Sequence, residues 1–203
     1  HTAGDIHIHD KDFYMLTETC CQIDLQKLFH DGFSTGHGYL REPQSINSYA
    51  ALACIALQAN QNEMHGGQSI PDFDYAMAPG VIKTYRKRVI GILTGWASLA
   101  GEELDLDKVK MCVDRIERLE DSDSLRQDLV ELLNGSTAES IDRILELALE
   151  RTRSDTNQAM QALVHNLNTM NSRAGAQVPF SSLNYGTDTS EAGRMVMSEL
   201  LEV

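Results

Sequence analysis

The sequence predicts an α/β architecture with parallel strands, and three observations carry that reading. Extended and helical stretches follow one another as strand, helix, strand, helices, strand, helix, the alternation that crossover connections produce. A hydrophobic share of 42% over 203 residues is enough to enclose a core, which sets disorder and fibrous structures aside. The strands are too few to close a barrel or complete a large sheet, and no internal repeat or low-complexity tract stands out.

Residues 1–30 combine the alternation of Ile6 and Ile8 around His7 with an apolar patch at Ile23, Leu25, Leu28 and Phe29, which reads as one or two strands. Gly32, Gly36 and Gly38 mark a turn over residues 30–38. A helix is expected over residues 45–62, where Ile46, Tyr49, Ala50, Ala53 and Leu57 recur at helical spacing behind Ser45 as cap, and Gly66 and Gly67 stop it. Residues 68–79 carry two prolines and read as a short extended piece with turns, with helix from about Val81. One apolar stripe then runs through Leu104, Val109, Cys112, Val113, Ile116 and Leu119, and another through Leu125, Leu129, Leu132 and Leu133. Gly135 ends the second, and Ser136 with Glu139 reads as a capping box for a third helix through Ile141, Ile144, Leu145 and Ala148. A break near Ser154 or Asp155 is expected before a further helical stripe from Met160 to Met170. Gly175 and Pro179 bracket a turn, residues 178–185 read as a strand, and residues 188–191 cap a final helix.

The charge balance narrows the partners. Against 17 Lys and Arg stand 30 Asp and Glu, a formal charge of −13, which repels a nucleic-acid polyanion. The acidic excess is concentrated in a helical middle, about residues 98–155, which reads as a solvated helix surface or, in a second reading, as a partner-binding face. No apolar run reaches the length of a membrane span and no secretory signal precedes the first motifs. Cys20, Cys21, Cys54 and Cys112 form neither a disulfide framework nor a C-x-x-C site, which suits a reducing cytoplasm. The chain opens on His1 and closes on the apolar run Leu200, Leu201, Glu202, Val203, so it is expected to be a piece of something larger.

Four groups of residues have the chemistry of a site. Asp5, His7 and His9 share one side of a strand, the ingredients of a transition-metal site, although no third and fourth ligand follow at recognisable spacing. Gly66, Gly67, Gln68 and Ser69 form a glycine turn whose amides can approach a ligand closely, but it matches neither a phosphate-binding loop nor a dinucleotide fingerprint. Cys20 and Cys21 are adjacent, so on a strand they face opposite ways, one for packing and one for chemistry. Cys54 and Cys112 lie in apolar stripes and read as filler. The densest polar stretch, His165 to Asn184, includes Asn168, Arg173, Ser181 and Ser182, groups costly to bury without each other or a polar ligand.

These stretches together resemble the anaerobic (class III) ribonucleoside triphosphate reductases, a glycyl-radical enzyme family. The resemblance rests on Gly4 to Asp10 (GDIHIHD), Thr19 to Leu25 (TCCQIDL), Gly66 to Ser69 (GGQS), His165 to Met170 (HNLNTM) and Ser172 to Gly175 (SRAG). It continues through Pro179 to Tyr185 (PFSSLNY) with Gly186, Thr187 and Asp188, and Gly193 to Val196 (GRMV). The motifs occur in order over nearly the whole chain outside the acidic middle.

The resemblance implies the early portion of a ten-stranded α/β barrel. It implies radical reduction of ribonucleoside triphosphates to 2′-deoxyribonucleoside triphosphates, with formate as reductant, in a homodimer tuned by ATP and dNTP effectors. A radical-SAM iron-sulfur enzyme would install the glycyl radical. In the family one cysteine lies on the first barrel strand, which places Cys20 or Cys21 there; analogy with the aerobic enzymes favours Cys21. Backbone amides of the Gly66–Gly67 turn and of residues 179–188, with Ser181, Ser182 and Asn184, are the expected nucleotide contacts, and free amides at the start of the last helix are expected to favour phosphate oxygens. The thiyl cysteine loop, the glycyl-radical segment with its zinc site and the ATP-sensing domain do not match any part of this sequence, so the chain alone is expected to be inert. Two rivals stand beside this reading: a metal-dependent hydrolase built on His7 and His9, and a non-enzymatic helical interaction module.

Overall fold

A computed structural model describes residues 3–5, 20–64, 66–133, 138–171 and 177–203. Three short strands form a parallel sheet in the order β1 (Cys21–Gln22), β4 (Gln68–Ile70), β5 (Ser181–Leu183). Between β1 and β4 the chain makes α1 (Leu25–Asp31), an antiparallel hairpin of β2 (Phe33–Ser34) and β3 (Tyr39–Leu40), and α2 (Ile46–Glu63). Between β4 and β5 it makes α3 (Phe73–Ala100), α4 (Leu106–Asp114), a 3₁₀ turn (Leu119–Asp121), α5 (Ser122–Leu132) and α6 (Ala138–Thr169). Helix α7 (Glu191–Leu201) follows β5. The α/β reading and the parallel strands therefore hold, and the described residues form a small open sheet rather than a closed barrel.

The core lies where α2, α3, α6 and α7 pack on one another. Ile46 and Leu57 of α2, Phe73, Met77 and Val81 of α3, and Met160 and Leu163 of α6 are fully buried, each stabilising the fold by about 1.5–3 kcal/mol. Polar ties set the helix faces in register. Ile46 N donates to Thr84 Oγ1 at 2.9 Å, and Arg88 grips Asp155 through two bonds of 2.7 Å.

Gly80 is required by this packing. A Cβ there would meet the Tyr49 ring at 2.8 Å and the Ile46 Cα at 3.2 Å. Gly80→Ala is expected to destabilise by about 1–3 kcal/mol despite the better helix propensity of alanine. Gly91→Ala, whose Cβ meets nothing within 4 Å, is expected to be neutral or stabilising. Urea unfolding of the two variants side by side checks the contrast.

Several boundaries differ from the sequence reading, each for a local reason. Residues 25–31 are helix rather than strand: Asp24 caps them by accepting from Lys27 N at 3.0 Å, and Leu25 and Phe29 are buried one turn apart. Helix α3 starts at Phe73, not near Val81, because Phe73 N finds the Asn184 carbonyl at 2.8 Å and Asp74 lies in the first turn. Pro79 is accommodated inside α3 on its exposed side. No break occurs at Ser154 or Asp155, and α6 runs unbroken. Thr152 and Thr156 return their hydroxyls to the carbonyls four residues back, and Asp155 pairs with Arg88. The expected strand over residues 178–185 shortens to Ser181–Leu183. The Gly135 stop and the Ser136 cap lie outside the described residues, whereas the last helix is capped by Ser190, accepting from Gly193 N at 3.1 Å.

Candidate functional site

The parallel sheet brings three distant sequence motifs side by side. Cys21, Gln68 and Ser181 align across it, and Gln22, Ser69 and Ser182 form the next row. The ladder is closed by Cys21 N to Gly67 O at 3.2 Å, Ile23 N to Ser69 O at 2.8 Å and Gln68 N to Phe180 O at 2.9 Å. Side chains alternate across each strand. Cys21, Gln68 and Ser181, followed by Ile23, Ile70 and Leu183, therefore face the helices, and Ile70 is fully buried there. Gln22, Ser69 and Ser182 fall on the opposite, open face, and Cys20, at a bend just before β1, is exposed. A cavity of about 490 Å³ adjoins the sheet, lined by residues 20–22, 67–69 and 180–182, none of them charged.

The adjacent thiols differ in environment. Cys20 is exposed, whereas Cys21 is half-buried and its Sγ accepts from Asn60 Nδ2 of α2 at 3.0 Å. The same Nδ2 lies 2.8 Å from Gln68 Oε1 and 2.9 Å from Met64 Sδ. Gln68 is 2% exposed, and its Nε2 has no hydrogen-bond partner among the described residues.

Beyond the C-terminal ends of β4 and β5, the chain supplies its own anion. Asp74 Oδ2 accepts from the backbone amides of Gly186, Thr187 and Asp188 at 2.9, 3.0 and 2.9 Å, and Oδ1 from Tyr75 N at 3.1 Å. Burial pushes its carboxyl up, but the four amides together hold it below the usual carboxylate range. The start of α7 is likewise occupied: Ser190 N donates to Asp188 Oδ1 at 2.8 Å and Glu191 N to Glu120 Oε1 at 2.9 Å. The expectation that amides here are free for phosphate is thus corrected for residues 186–188, 190 and 191, where carboxylates already fill the positions a phosphate oxygen would take. Gly193 is needed at this joint, since a Cβ there would lie 2.3 Å from the Asp188 carboxylate.

The other expected site residues divide. Gly66 is exposed in a left-handed conformation, φ 90°, and the space above Gly67 is taken by the Phe180 ring, 3.3 Å from a built Cβ. Asn184 is exposed, and its backbone N–H and carbonyl join Ile70 to Phe73. His165 and Asn168 are exposed on the last turns of α6 and do not line the sheet cavity. His7, His9 and Arg173 lie outside the described residues. Cys54 is buried in α2, where burial pushes its thiol up, and Cys112 is half-buried. Among the described residues no three His, Cys, Asp or Glu side chains are grouped to hold a metal, and no described helix is long and apolar enough to cross a membrane.

Comparison with known proteins supplies the family. A sequence model described as anaerobic ribonucleoside-triphosphate reductase matches residues 1–203. The chain belongs to that family. An anaerobic ribonucleoside-triphosphate reductase of Enterobacteria phage T4 is 24% identical over 204 residues, covering 100% of this chain and 26% of the relative. Those of Salmonella typhimurium and Escherichia coli are 23% and 24% identical over 203 residues, covering 99% of this chain and 22% of each relative. The chain thus spans about a quarter of the length of the curated relatives it matches. The match to the reductase family includes the acidic middle, which carried no recognisable motif.

Sequence reasoning missed two residues of this candidate site. Asn60 had a legible signal: Ala53, Leu57, Asn60 and Met64 recur at helical spacing, and a polar residue on an otherwise apolar stripe needs a partner inside. Asp74 had none, because three of its four amide donors lie more than a hundred positions along the chain.

Proposed function

We propose that the full-length protein is an anaerobic ribonucleoside-triphosphate reductase making 2′-deoxyribonucleoside triphosphates for DNA synthesis, and that this chain supplies the strands facing substrate. One observation carries the reading: Cys20, Ser69 and Ser182 line one open, uncharged cavity at the face of a parallel sheet. Such a face suits a sugar. Hydroxyls of Ser69 and Ser182 and the amide of Gln22 can exchange hydrogen bonds with ribose, and Cys20 offers a thiol beside them. The reaction expels the 2′-hydroxyl as water and takes two electrons from formate, which leaves as carbon dioxide. A glycyl radical on a residue outside this sequence would supply the one-electron chemistry.

Between the two cysteines, analogy favours Cys21, but the environment of each thiol supports Cys20 as the one that meets substrate. Cys20 is exposed and lines the cavity, whereas Cys21 is held from behind by Asn60. The proposal extends to the enzyme's setting: a cytoplasmic homodimer regulated by ATP and dNTP effectors, activated by a radical-SAM iron-sulfur enzyme, with zinc bound in a segment outside this chain. The acidic middle, about residues 98–155, is assigned to an outer layer, tied to the site through Glu120 and the start of α7.

Anaerobic assay of the activated full-length protein tests the function. Deoxyribonucleoside triphosphate is expected from ribonucleoside triphosphate only when formate is present. No product in the presence of radical and formate would overturn the assignment.

A further inference from the structure

We infer that Asn60 is a positioning residue that locks the register of β1 and so decides which of two adjacent thiols faces the open side of the sheet. The need for a lock follows from the sequence. Side chains alternate, so a slip of β1 by one residue would turn Cys21 to the open face and Cys20 towards α2. Two neighbouring cysteines make the two registers present the same chemical group.

The backbone alone holds β1 lightly. The strand has two residues, lies at the edge of the described sheet, and pairs with β4 at Gln68 and Ser69. Asn60 adds a side-chain clamp from below. Its Nδ2 lies 3.0 Å from Cys21 Sγ and 2.8 Å from Gln68 Oε1, the two residues paired across β1 and β4. It therefore joins the strands at the row that holds the inward thiol.

Gln68 is held by the same contact. Its Oε1 faces Asn60, while its buried Nε2 has no partner among the described residues, and turning the amide over would set two donors against each other. Burial of Ile23 favours the same register, and the Asn60 contact adds a hold on the Cys21 thiol itself. The assignment of Cys20 to the reaction rests on the function proposed above, whereas the register lock is independent of turnover.

The test is brief alkylation of the full-length protein with iodoacetamide under reducing, anaerobic conditions, with the two cysteines resolved by fragment mass spectrometry. Cys20 is expected to react about tenfold or more faster than Cys21 in the parent protein, and Asn60→Leu is expected to lower that ratio about fivefold, the effect of one hydrogen bond. Cys54, buried in α2, reports whether the fold is intact. If Asn60→Leu exposes Cys54, Gln68→Leu replaces it: this variant removes the clamp's other end together with the unpartnered Nε2, and the same fall is expected. An unchanged ratio with Cys54 protected, in whichever variant stays folded, overturns the lock. Turnover separates the two claims. A positioning role lowers kcat with little change in KM, and a shifted alkylation ratio with normal turnover would keep the lock while removing Cys20 from the reaction.

Discussion

Cys20→Ser in the full-length protein is expected to lower deoxyribonucleotide formation by about a thousandfold or more, as loss of a reacting group does. The substitution replaces a thiol by a hydroxyl of similar shape on an exposed position, so packing is undisturbed and the change is one of chemistry. Oxygen does not take part in radical and disulfide chemistry as sulfur does. Cys21→Ser is expected to stay within about tenfold of the parent, because a serine Oγ still accepts from Asn60. The glycyl-radical signal should form in both variants, which isolates the defect to substrate reduction. Normal turnover by Cys20→Ser together with loss in Cys21→Ser would reverse the assignment.

Asp74→Ala is expected to be the most destabilising single substitution near the site, at about 2–4 kcal/mol. It would strip one acceptor from the amides of Gly186, Thr187 and Asp188 and free the loop between β5 and α7 from the start of α3. Tyr75, whose hydroxyl donates to the Thr187 carbonyl at 3.0 Å, would remain as a weaker tie. Asp74→Asn should cost less, since one oxygen can still face the three amides. The contribution is pH-dependent with a defined sign. The folded carboxyl is held below the ordinary value of about 3.9 that it regains on unfolding. Its stabilisation is therefore complete above about pH 4 and is lost as pH falls through the folded value. Urea midpoints of parent and Asp74→Ala should differ at pH 7 and converge in acid; a constant difference would show that the charge is not what holds the loop.

The Asp74 contact also changes how the start of α7 is understood. A glycine-containing loop leading into a helix has the chemistry of an anion site, and in this protein the anion is a side chain from α3. The acidic total of −13 gains a local meaning there, because Asp74, Asp188 and Glu120 satisfy amides at one joint. The sheet cavity itself is lined by uncharged residues and presents no carboxylate among residues 20–22, 67–69 and 180–182.

What the sequence by itself determined is what short-range physics governs. Helix α2 behind Ser45, the final helix, and the strand cores at Gln68–Ile70 and Ser181–Leu183 all follow from capping, periodicity and alternation. The ordered motifs carried the family as well. Tertiary structure decided the rest, because pairing and burial join residues far apart in the chain. Only the sheet aligned Cys21, Gln68 and Ser181, and only the helix behind it distinguished the two thiols. Residues 68–79 look extended from their two prolines, yet from Phe73 they are helical, since Phe73 and Asp74 find partners beyond β5. The same long-range satisfaction filled the amides that the local sequence left open for a ligand.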